Sequence, residues 1–424
     1  MVRPSARKLY WTPTRSPAAK AAVRLRSSAR VCRCLMSTPD PPESTSAPTR
    51  EAHRRRAPRE RARRRRALRR RRWLVLALVV GLGGGLTAAI VAGRPNSPAV
   101  TSHHVLTSAG RGGRQPRSPA HTSSGASVST ATTRSRPSAP FAVGLTVMRL
   151  VDGTRTIRLP NGQAVPRTLV TYVRYPALGP DSGGDVQGAH PARDAGPFPL
   201  IIFGHGFAEA PGPYARLLRA WARAGYVVAA PVFPLANVNA PGGPNESDLP
   251  NQPADMRMVI SRVLAVAGAS SGPLSGLIAP RQIAVSGQSD GGDTALAVAY
   301  DPAFRDPRVG AAMILSGAEI PGVAGFQVAP GGPPLLATQG TADTINPPSF
   351  TRAFYDSAPA PKYLLQLLGA GHLPPYTSQE PELGVVERVT IAFLDRYLKR
   401  APGALQRLLS AGRVPRVATL DADP

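Results

Sequence analysis

The sequence predicts a C-terminal α/β domain built on a doubly wound, mostly parallel β-sheet. From residue 141 onward, short apolar runs alternate with segments of helical periodicity, which is the order expected of strands joined by crossover helices. Several of the runs are continuously apolar, as strands buried on both faces are. About 280 residues follow residue 140, enough for one domain of this class.

The elements can be justified in chain order. Two strands come first, at 143–150 and 167–175, and the second alternates β-branched residues with others. A loop rich in Gly, Asp and Pro follows at 182–197. After it the pattern alternates between strand and helix. The strands are predicted at 200–203, 226–230, 283–285, 311–315, 334–338 and 363–368, and the helices at 214–224, 254–267, 294–299, 349–355 and 385–398.

The strong positive charge belongs to the N-terminal part of the chain. Residues 1–72 hold 23 Lys and Arg against 4 Asp and Glu, whereas residues 141–424 hold 23 against 21. The net charge of +27 therefore describes a basic, disordered N-terminal tail and not the active site. The arginine runs are not interleaved with aromatic residues, so we expect no nucleic-acid partner.

Residues 73–93 form an uncharged, apolar stretch of 21 residues, about 31 Å long as a helix and sufficient to cross a bilayer. Four arginines, 69–72, abut its N-terminal end, and only Arg94 flanks the other end. The positive-inside rule then predicts a single-pass membrane protein with a cytoplasmic N-terminus and an extracytoplasmic C-terminal domain. The alternative is a cleaved signal peptide and a secreted domain.

The remaining segments flank the domain. Residues 94–140 are rich in Ser, Thr, Pro and Gly and predict a disordered linker. We place the domain at 141–400 and a C-terminal tail at 401–424. Both cysteines, Cys32 and Cys34, precede the apolar stretch, so the domain has neither a disulfide nor a thiol nucleophile. No metal or cofactor is expected.

One pentapeptide points to nucleophilic catalysis. Residues 287–291 read Gly-Gln-Ser-Asp-Gly between an apolar strand and a helix, the context in which a tight turn exposes a nucleophilic serine. Glycine two residues before and after Ser289 removes side chains that would collide with the turn. Residues 268–272 fit the same pattern, but they follow a helix and lead into Pro273, so we interpret Ser270 as a loop residue.

A serine hydroxyl needs a base, and the base needs an orienting acid. Asp343 follows the strand at 334–338 and His372 follows the strand at 363–368, each through a glycine-containing turn. Both side chains are therefore expected at the same sheet edge as Ser289. The chain order of serine, aspartate and histidine is that of α/β-hydrolases.

The predicted oxyanion hole uses backbone groups. Residues 203–207 read Phe-Gly-His-Gly-Phe directly after a strand, and the glycines let the backbone turn inward. We expect the N–H groups of Phe207 and Asp290 to face the oxygen of the tetrahedral intermediate. His205 is expected to brace this loop and not to act as the base.

These motifs together resemble α/β-hydrolases, in particular the dienelactone-hydrolase-like, chlorophyllase-like and platelet-activating-factor-acetylhydrolase-like esterases. The resemblance covers roughly residues 141–400 and implies an α/β-hydrolase fold in which Ser289 is the nucleophile, His372 the base and Asp343 the orienting acid. Dienelactone hydrolase itself has cysteine where Ser289 stands, and many relatives have His or Tyr where Gln288 stands. The resemblance therefore does not assign a subfamily.

The expected activity is hydrolysis of small-molecule or lipid carboxylic esters through an acyl-enzyme. The interval 316–333 is too short for a large cap domain, so we expect an open, apolar cleft, with 234–253 as its rim. Its predicted lining consists of aromatic residues, namely Phe207, Tyr214, Phe233 and Tyr376. Two alternatives stay open: a peptidase or acyltransferase with the same triad, and a non-catalytic envelope binding protein on a hydrolase scaffold.

Overall fold

The computed structural model describes residues 140–319 and 331–424. These residues form one ten-stranded sheet in the order β10-β9-β8-β7-β6-β4-β5-β2-β1-β3. The strands are β1 (Ala142–Arg158), β2 (Ala164–Ala177), β3 (Asp185–Gln187), β4 (Phe198–Gly204), β5 (Val227–Pro231), β6 (Ile278–Gln288), β7 (Val309–Leu315), β8 (Leu335–Gly340), β9 (Lys362–Leu367) and β10 (Ala418–Asp423).

The middle of the sheet is parallel. Strands β5, β4, β6, β7, β8 and β9 run in one direction, while β2 pairs antiparallel with β5 and with β1. The parallel strands therefore present their carboxyl ends along one edge. Ligands of open α/β sheets bind at that edge.

In the described part of the chain, six α-helices pack on the sheet: α1 (Ala215–Arg223), α2 (Gln252–Ala267), α3 (Asp290–Tyr300), α4 (Pro348–Ser357), α5 (Glu382–Tyr397) and α6 (Ala404–Ala411). Apolar residues of α2, α3 and α4 belong to one hydrophobic core, and those of α1, α5 and α6 to a second. The predicted doubly wound arrangement is thus observed, and it is consistent with an α/β-hydrolase fold.

Strand β4 shows why continuous apolar runs predicted buried strands. Leu200 and Ile202 pack in the first core, whereas Ile201 and Phe203 pack in the second. All four side chains are fully buried, because helices cover both faces of the sheet. Period-two alternation disappears when neither face meets water.

The predicted C-terminal boundary at residue 400 is wrong. Residues 404–411 form α6, and β10 pairs antiparallel with β9 at the sheet edge. Leu408 and Leu420 are buried in the second core, so the segment predicted as a tail belongs to the domain. The predicted loop at 182–197 also contains a short strand, β3, which pairs with β1.

Several predictions lie outside the described residues: the basic tail, the apolar stretch at 73–93 and the linker up to residue 139. Within 140–319 and 331–424, no helix has both the length and the apolar character needed to cross a bilayer. The interval 316–333, predicted to lack a large cap, is described only at its two ends.

Candidate active site

Ser289 lies in a strained turn between β6 and α3. Its backbone angles are φ 54° and ψ −127°, a conformation that non-glycine residues rarely adopt and that costs of order 1–3 kcal/mol. The surrounding structure holds it there: the Ser289 N–H donates to the Leu315 carbonyl at 3.0 Å, and the Ser289 carbonyl accepts from Asp293 N–H at 2.9 Å. Among the described residues, Ser316 and three other non-glycine residues also have positive φ, so the strain at Ser289 supports a hypothesis of function and does not establish one.

The glycines on either side of Ser289 are required by close backbone contacts. A Cβ on Gly287 would overlap the carbonyl of Gly291, and a Cβ on Gly291 would overlap the carbonyl of Gly204. Strand β6, helix α3 and the end of β4 therefore approach as closely as backbone allows. Ser270, in the second matching pentapeptide, lies instead in an exposed loop after α2.

We expect Gly291→Ala to lower the free energy of unfolding by about 2–4 kcal/mol. The added methyl group would overlap backbone atoms of β4, and these atoms can move only if the strand itself shifts. Gly153→Ala is the matched control, since a Cβ there has nothing within 4 Å. Urea unfolding of both variants measures the difference. Equal stability of the two variants would contradict the packing described for the turn.

Asp343 and His372 form a hydrogen-bonded pair. His372 Nδ1 lies 2.7 Å from Asp343 Oδ2, with the carboxylate side chain wholly buried and the imidazole 10% exposed. The other oxygen, Oδ1, accepts the N–H groups of Ile345 and Asn346, both at 2.9 Å. These two N–H groups hold the carboxylate through the oxygen that does not face His372. The other oxygen is thus in position to orient the imidazole, which remains partly accessible.

The ionised form of Asp343 is favoured. Burial raises the pKa of this carboxyl, but hydrogen bonds and charge from His372, together with donors from Asn346 and Gln339, outweigh burial and bring the pKa below its usual range. Asp343 therefore remains a carboxylate at neutral pH. An ionised acid beside a histidine stabilises the imidazolium that forms when the ring takes a proton.

Two tight turns bring this pair together. A Cβ on Gly340 would lie 2.5 Å from the carbonyl oxygens of Ala370 and Gly371, so the loops after β8 and β9 are in backbone contact. The Ala342 N–H donates to the Ala370 carbonyl at 2.9 Å. Sequence analysis predicted Asp343 and His372 at the same sheet edge because each follows a strand through a glycine-containing turn. In the structure, these two turns contact each other and bring the two residues together.

His372 also lies beside the nucleophile turn. Gln288, the residue before Ser289, donates from Nε2 to the His372 carbonyl at 3.1 Å. The His372–Asp343 pair therefore lies next to the turn that holds Ser289, and the catalytic roles of the three residues stay predictions.

The loop after β4 is braced by His205, as expected. The fully buried His205 ring has Nδ1 2.8 Å from the Gly206 carbonyl, and its Nε2 accepts the Phe233 N–H at 3.0 Å. These partners fix the neutral tautomer with the proton on Nδ1. Burial lowers the His205 pKa to about 4, so the ring stays uncharged near neutral pH, and its unprotonated nitrogen, Nε2, is already occupied by the Phe233 N–H.

This loop runs directly past the serine. A Cβ on Gly206 would lie 3.3 Å from Ser289 Cβ, so the backbone that leads into Phe207 is adjacent to the nucleophile. Asp290 is the first residue of α3. The oxyanion role of these two backbones stays a prediction.

Three of the four aromatic residues predicted to line the cleft do not. Tyr214, Phe233 and Tyr376 are fully buried, so no substrate can touch them in this conformation. Tyr214 packs on Phe203, and Tyr376 hydrogen-bonds Ser316 and Thr338. These predictions were wrong because the presence of an aromatic residue near a strand end does not show whether its ring points into the core or into a cleft. Phe207, half-buried, remains compatible with a lining role.

Sequence reasoning missed two buried amides that hold the site. Gln339 donates to Asp343 Oδ2 at 3.1 Å and accepts from Thr351 at 2.6 Å. Gln288 bonds both to Tyr214 and to His372. Their positions were the available signal, because Gln339 directly follows the strand predicted at 334–338 and Gln288 directly precedes Ser289.

Buried ion pairs hold the C-terminal part of the irregular segment at 234–253. Arg167 of β2 donates to both oxygens of Asp248, at 2.8 and 2.7 Å, and to both oxygens of Asp255. Bidentate pairs of this kind fix geometry as well as charge. The segment predicted as the cleft rim is thereby tied to the sheet.

Glu209, two residues after Phe207, carries a half-buried carboxyl. Burial raises its pKa from 4.5 to about 7. Since the folded value exceeds the ordinary one, the protein takes up a proton on folding between these pH values. Stability from this group is therefore lost as pH rises through that window.

We expect Glu209→Gln to raise the free energy of unfolding relative to wild type by about 1–3 kcal/mol above pH 8. The gain should shrink as pH falls and vanish below about pH 4.5, where the native carboxyl is protonated in both states. Urea unfolding across this pH range measures it. Asp194→Asn, at an exposed carboxylate, is the control, and a gain that does not depend on pH would contradict the interpretation.

Two comparisons found known proteins or families that this chain is similar to. The family model described as Chlorophyllase matches residues 189–334, a range that contains the loop after β4 and the nucleophile turn and ends before Asp343. Among solved structures, a ferulic acid esterase from Streptomyces cinnamoneus is 22% identical, with a TM-score of 0.48, over 64% of this chain and 94% of that chain. No curated protein matches the sequence.

The family match confirms the resemblance to α/β-hydrolase esterases that was stated from the sequence motifs. It also confirms the class of enzyme, a carboxylic ester hydrolase. The matched range covers about a third of the 424 residues.

Proposed function

We propose that the chain cleaves carboxylic esters through an acyl-enzyme formed on Ser289, with His372 as general base and Asp343 as orienting acid. The observation that carries the proposal is the strained Ser289 turn, with the His372–Asp343 pair held next to it through Gln288. A serine kept at positive φ between a parallel strand and a helix matches the requirement for an exposed nucleophile.

The chemistry follows from these positions. Ser289 Oγ attacks the ester carbonyl carbon while His372 Nε2 accepts the hydroxyl proton. The resulting oxyanion is stabilised by the N–H groups of Phe207 and Asp290. The C–O bond to the alcohol then breaks, and the alcohol leaves with the proton from His372. Water then attacks the acyl carbon while His372 takes its proton, the bond between that carbon and Ser289 Oγ breaks, and His372 returns the proton to Oγ, which releases the acid and the free enzyme.

The natural substrate is proposed at the level of a class: short- to medium-chain carboxylic esters, of small molecules or lipids, in an open cleft. Support comes from the half-buried Phe207, which directly follows the Gly206 backbone that adjoins Ser289, and from the short interval between β7 and β8. The full-length protein should react with a fluorophosphonate and hydrolyse nitrophenyl esters of increasing acyl length.

The same triad serves peptidases and acyltransferases, so the test includes their substrates. Nitroanilides matched to the best ester measure amide cleavage, and an added acceptor alcohol measures acyl transfer. Esters are expected to be cleaved at least about 100-fold faster than the matched amides. Preference for the amide, or transfer that exceeds hydrolysis, would replace the proposed reaction. Binding of an ester without any turnover would favour the non-catalytic alternative.

We also propose that the domain is extracytoplasmic and tethered by residues 73–93. Support comes from the length of the apolar stretch and the arginines on its N-terminal side. Protease treatment of intact cells should release the domain and spare an N-terminal tag. A soluble domain that lacks this tag in the medium would instead indicate signal cleavage.

A further inference from the structure

Gln288 contacts two loops that flank the nucleophile. It is the last residue of β6, is 1% exposed, and directly precedes Ser289. Its Oε1 accepts the Tyr214 hydroxyl at 2.8 Å, and its Nε2 donates to the His372 carbonyl at 3.1 Å. One amide therefore joins the segment that follows β4 to the loop that carries the base.

The hydrogen bonds run in a single direction. The Gly206 N–H donates to the Tyr214 oxygen at 3.3 Å, and Tyr214 donates onward to Gln288. Burial, followed by the charge of Glu209, raises the pKa of Tyr214 well above its ordinary range, so the phenol keeps its proton. The His372 carbonyl can only accept, which fixes the Gln288 amide with its nitrogen on that side.

The bridge also lies against the backbone of the oxyanion loop. A Cβ on Gly206 would come within 2.8 Å of Gln288 Oε1 and 3.3 Å of both Tyr214 Oη and Ser289 Cβ. Little free space remains between the loop, the amide and the serine. A shift of the amide would therefore move the Gly206–Phe207 backbone and His372 together.

We propose that Gln288 is a positioning residue, which couples the oxyanion loop to the loop of His372 through Tyr214 and so sets the distance between base, nucleophile and oxyanion donors. This inference rests on the proposed function of Ser289 and His372. Gln288 touches no reacting atom, so it acts on the transition state by geometry. Displacements of about 1 Å in such a constellation cost on the order of 100-fold in rate.

The test compares Gln288→Met, which keeps the volume and removes both hydrogen bonds, with Tyr214→Phe and with the double variant. Gln252→Met is the matched control, since Gln252 is equally buried but lies on α2 and bonds to Thr294. The full-length proteins are assayed for kcat and KM on nitrophenyl butyrate, for fluorophosphonate labelling rate and for urea stability.

We expect Gln288→Met to lower kcat by about 10- to 100-fold with KM within about threefold. Tyr214→Phe should lower kcat less, and the double variant should be no slower than Gln288→Met, because both changes break one chain of contacts. Gln252→Met should change stability and leave kcat within about threefold.

The inference is overturned if Gln288→Met keeps kcat within threefold, if its loss appears only in KM, or if the two single effects multiply in the double variant. Should Gln288→Met fail to fold, Tyr214→Phe with unchanged kcat and labelling rate overturns it alone. A wild type that neither labels nor hydrolyses esters overturns the proposed function and this inference together. If esterase activity depends on Ser289 but does not change in Gln288→Met, only this inference is overturned and the proposed function stands.

Discussion

Ser289→Ala is expected to abolish fluorophosphonate labelling and to lower kcat for nitrophenyl esters by about 10⁶-fold, the scale of nucleophile removal in serine hydrolases. The variant removes the attacking oxygen and little else. The Ser289 side chain makes no capping hydrogen bond to α3, and alanine can take the same backbone angles at similar cost. Loss of activity should therefore occur without loss of fold.

Ser270→Ala is the matched control within the same chain. Ser270 stands at the centre of the second Gly-x-Ser-x-Gly pentapeptide but lies in an exposed loop, so labelling and kcat should equal those of wild type. Labelling that persists in Ser289→Ala would place the nucleophile elsewhere. Far-ultraviolet circular dichroism and urea unfolding establish that both variants are folded before their rates are compared.

The sequence predicted the nucleophile turn because its determinants are local. A strand, two glycines and a helix surround Ser289 within about ten residues, and each can be identified from neighbouring residues. Asp343 and His372 were predictable for a related reason, since each follows an apolar strand of a parallel sheet, and such strands end at one edge.

The Gln288 bridge could not be predicted in this way. Its partners Tyr214 and His372 lie 74 and 84 residues away, and their meeting depends on how three loops pack over one edge. The side-chain directions of Phe233 and Tyr376 depend on the same packing, which is why their predicted lining role was wrong.

The C-terminal strand was missed for a different reason. Residues 418–423 alternate small, apolar and acidic side chains, a pattern too short and polar to stand out. Strand β10 lies at the sheet edge and buries mainly Ala418 and Leu420. It pairs along its whole length with β9, and backbone pairing of this kind leaves no periodic pattern in the sequence.

Asp343→Asn is expected to lower kcat by about 10⁴-fold while the protein remains folded. In the native site, Oδ1 accepts two backbone N–H groups, so the asparagine oxygen would keep that side and its NH₂ group would replace Oδ2. The NH₂ group would then face His372 Nδ1, only 2.7 Å away in the native pair. Two donors cannot face each other, so the imidazole should move its proton to Nε2.

That change would remove the base, because Nε2 must be unprotonated to accept the proton of Ser289. The fluorophosphonate labelling rate should fall together with kcat, since both reactions need an activated serine, whereas KM should change little. Asp356→Asn, at an exposed carboxylate on α4, is the control and should label at the wild-type rate. A normal labelling rate in folded Asp343→Asn would show that the Asp343–His372 pair does not orient the base. An equal loss in labelling rate and in kcat would instead indicate that the Asp343 carboxylate determines which nitrogen of His372 carries the proton.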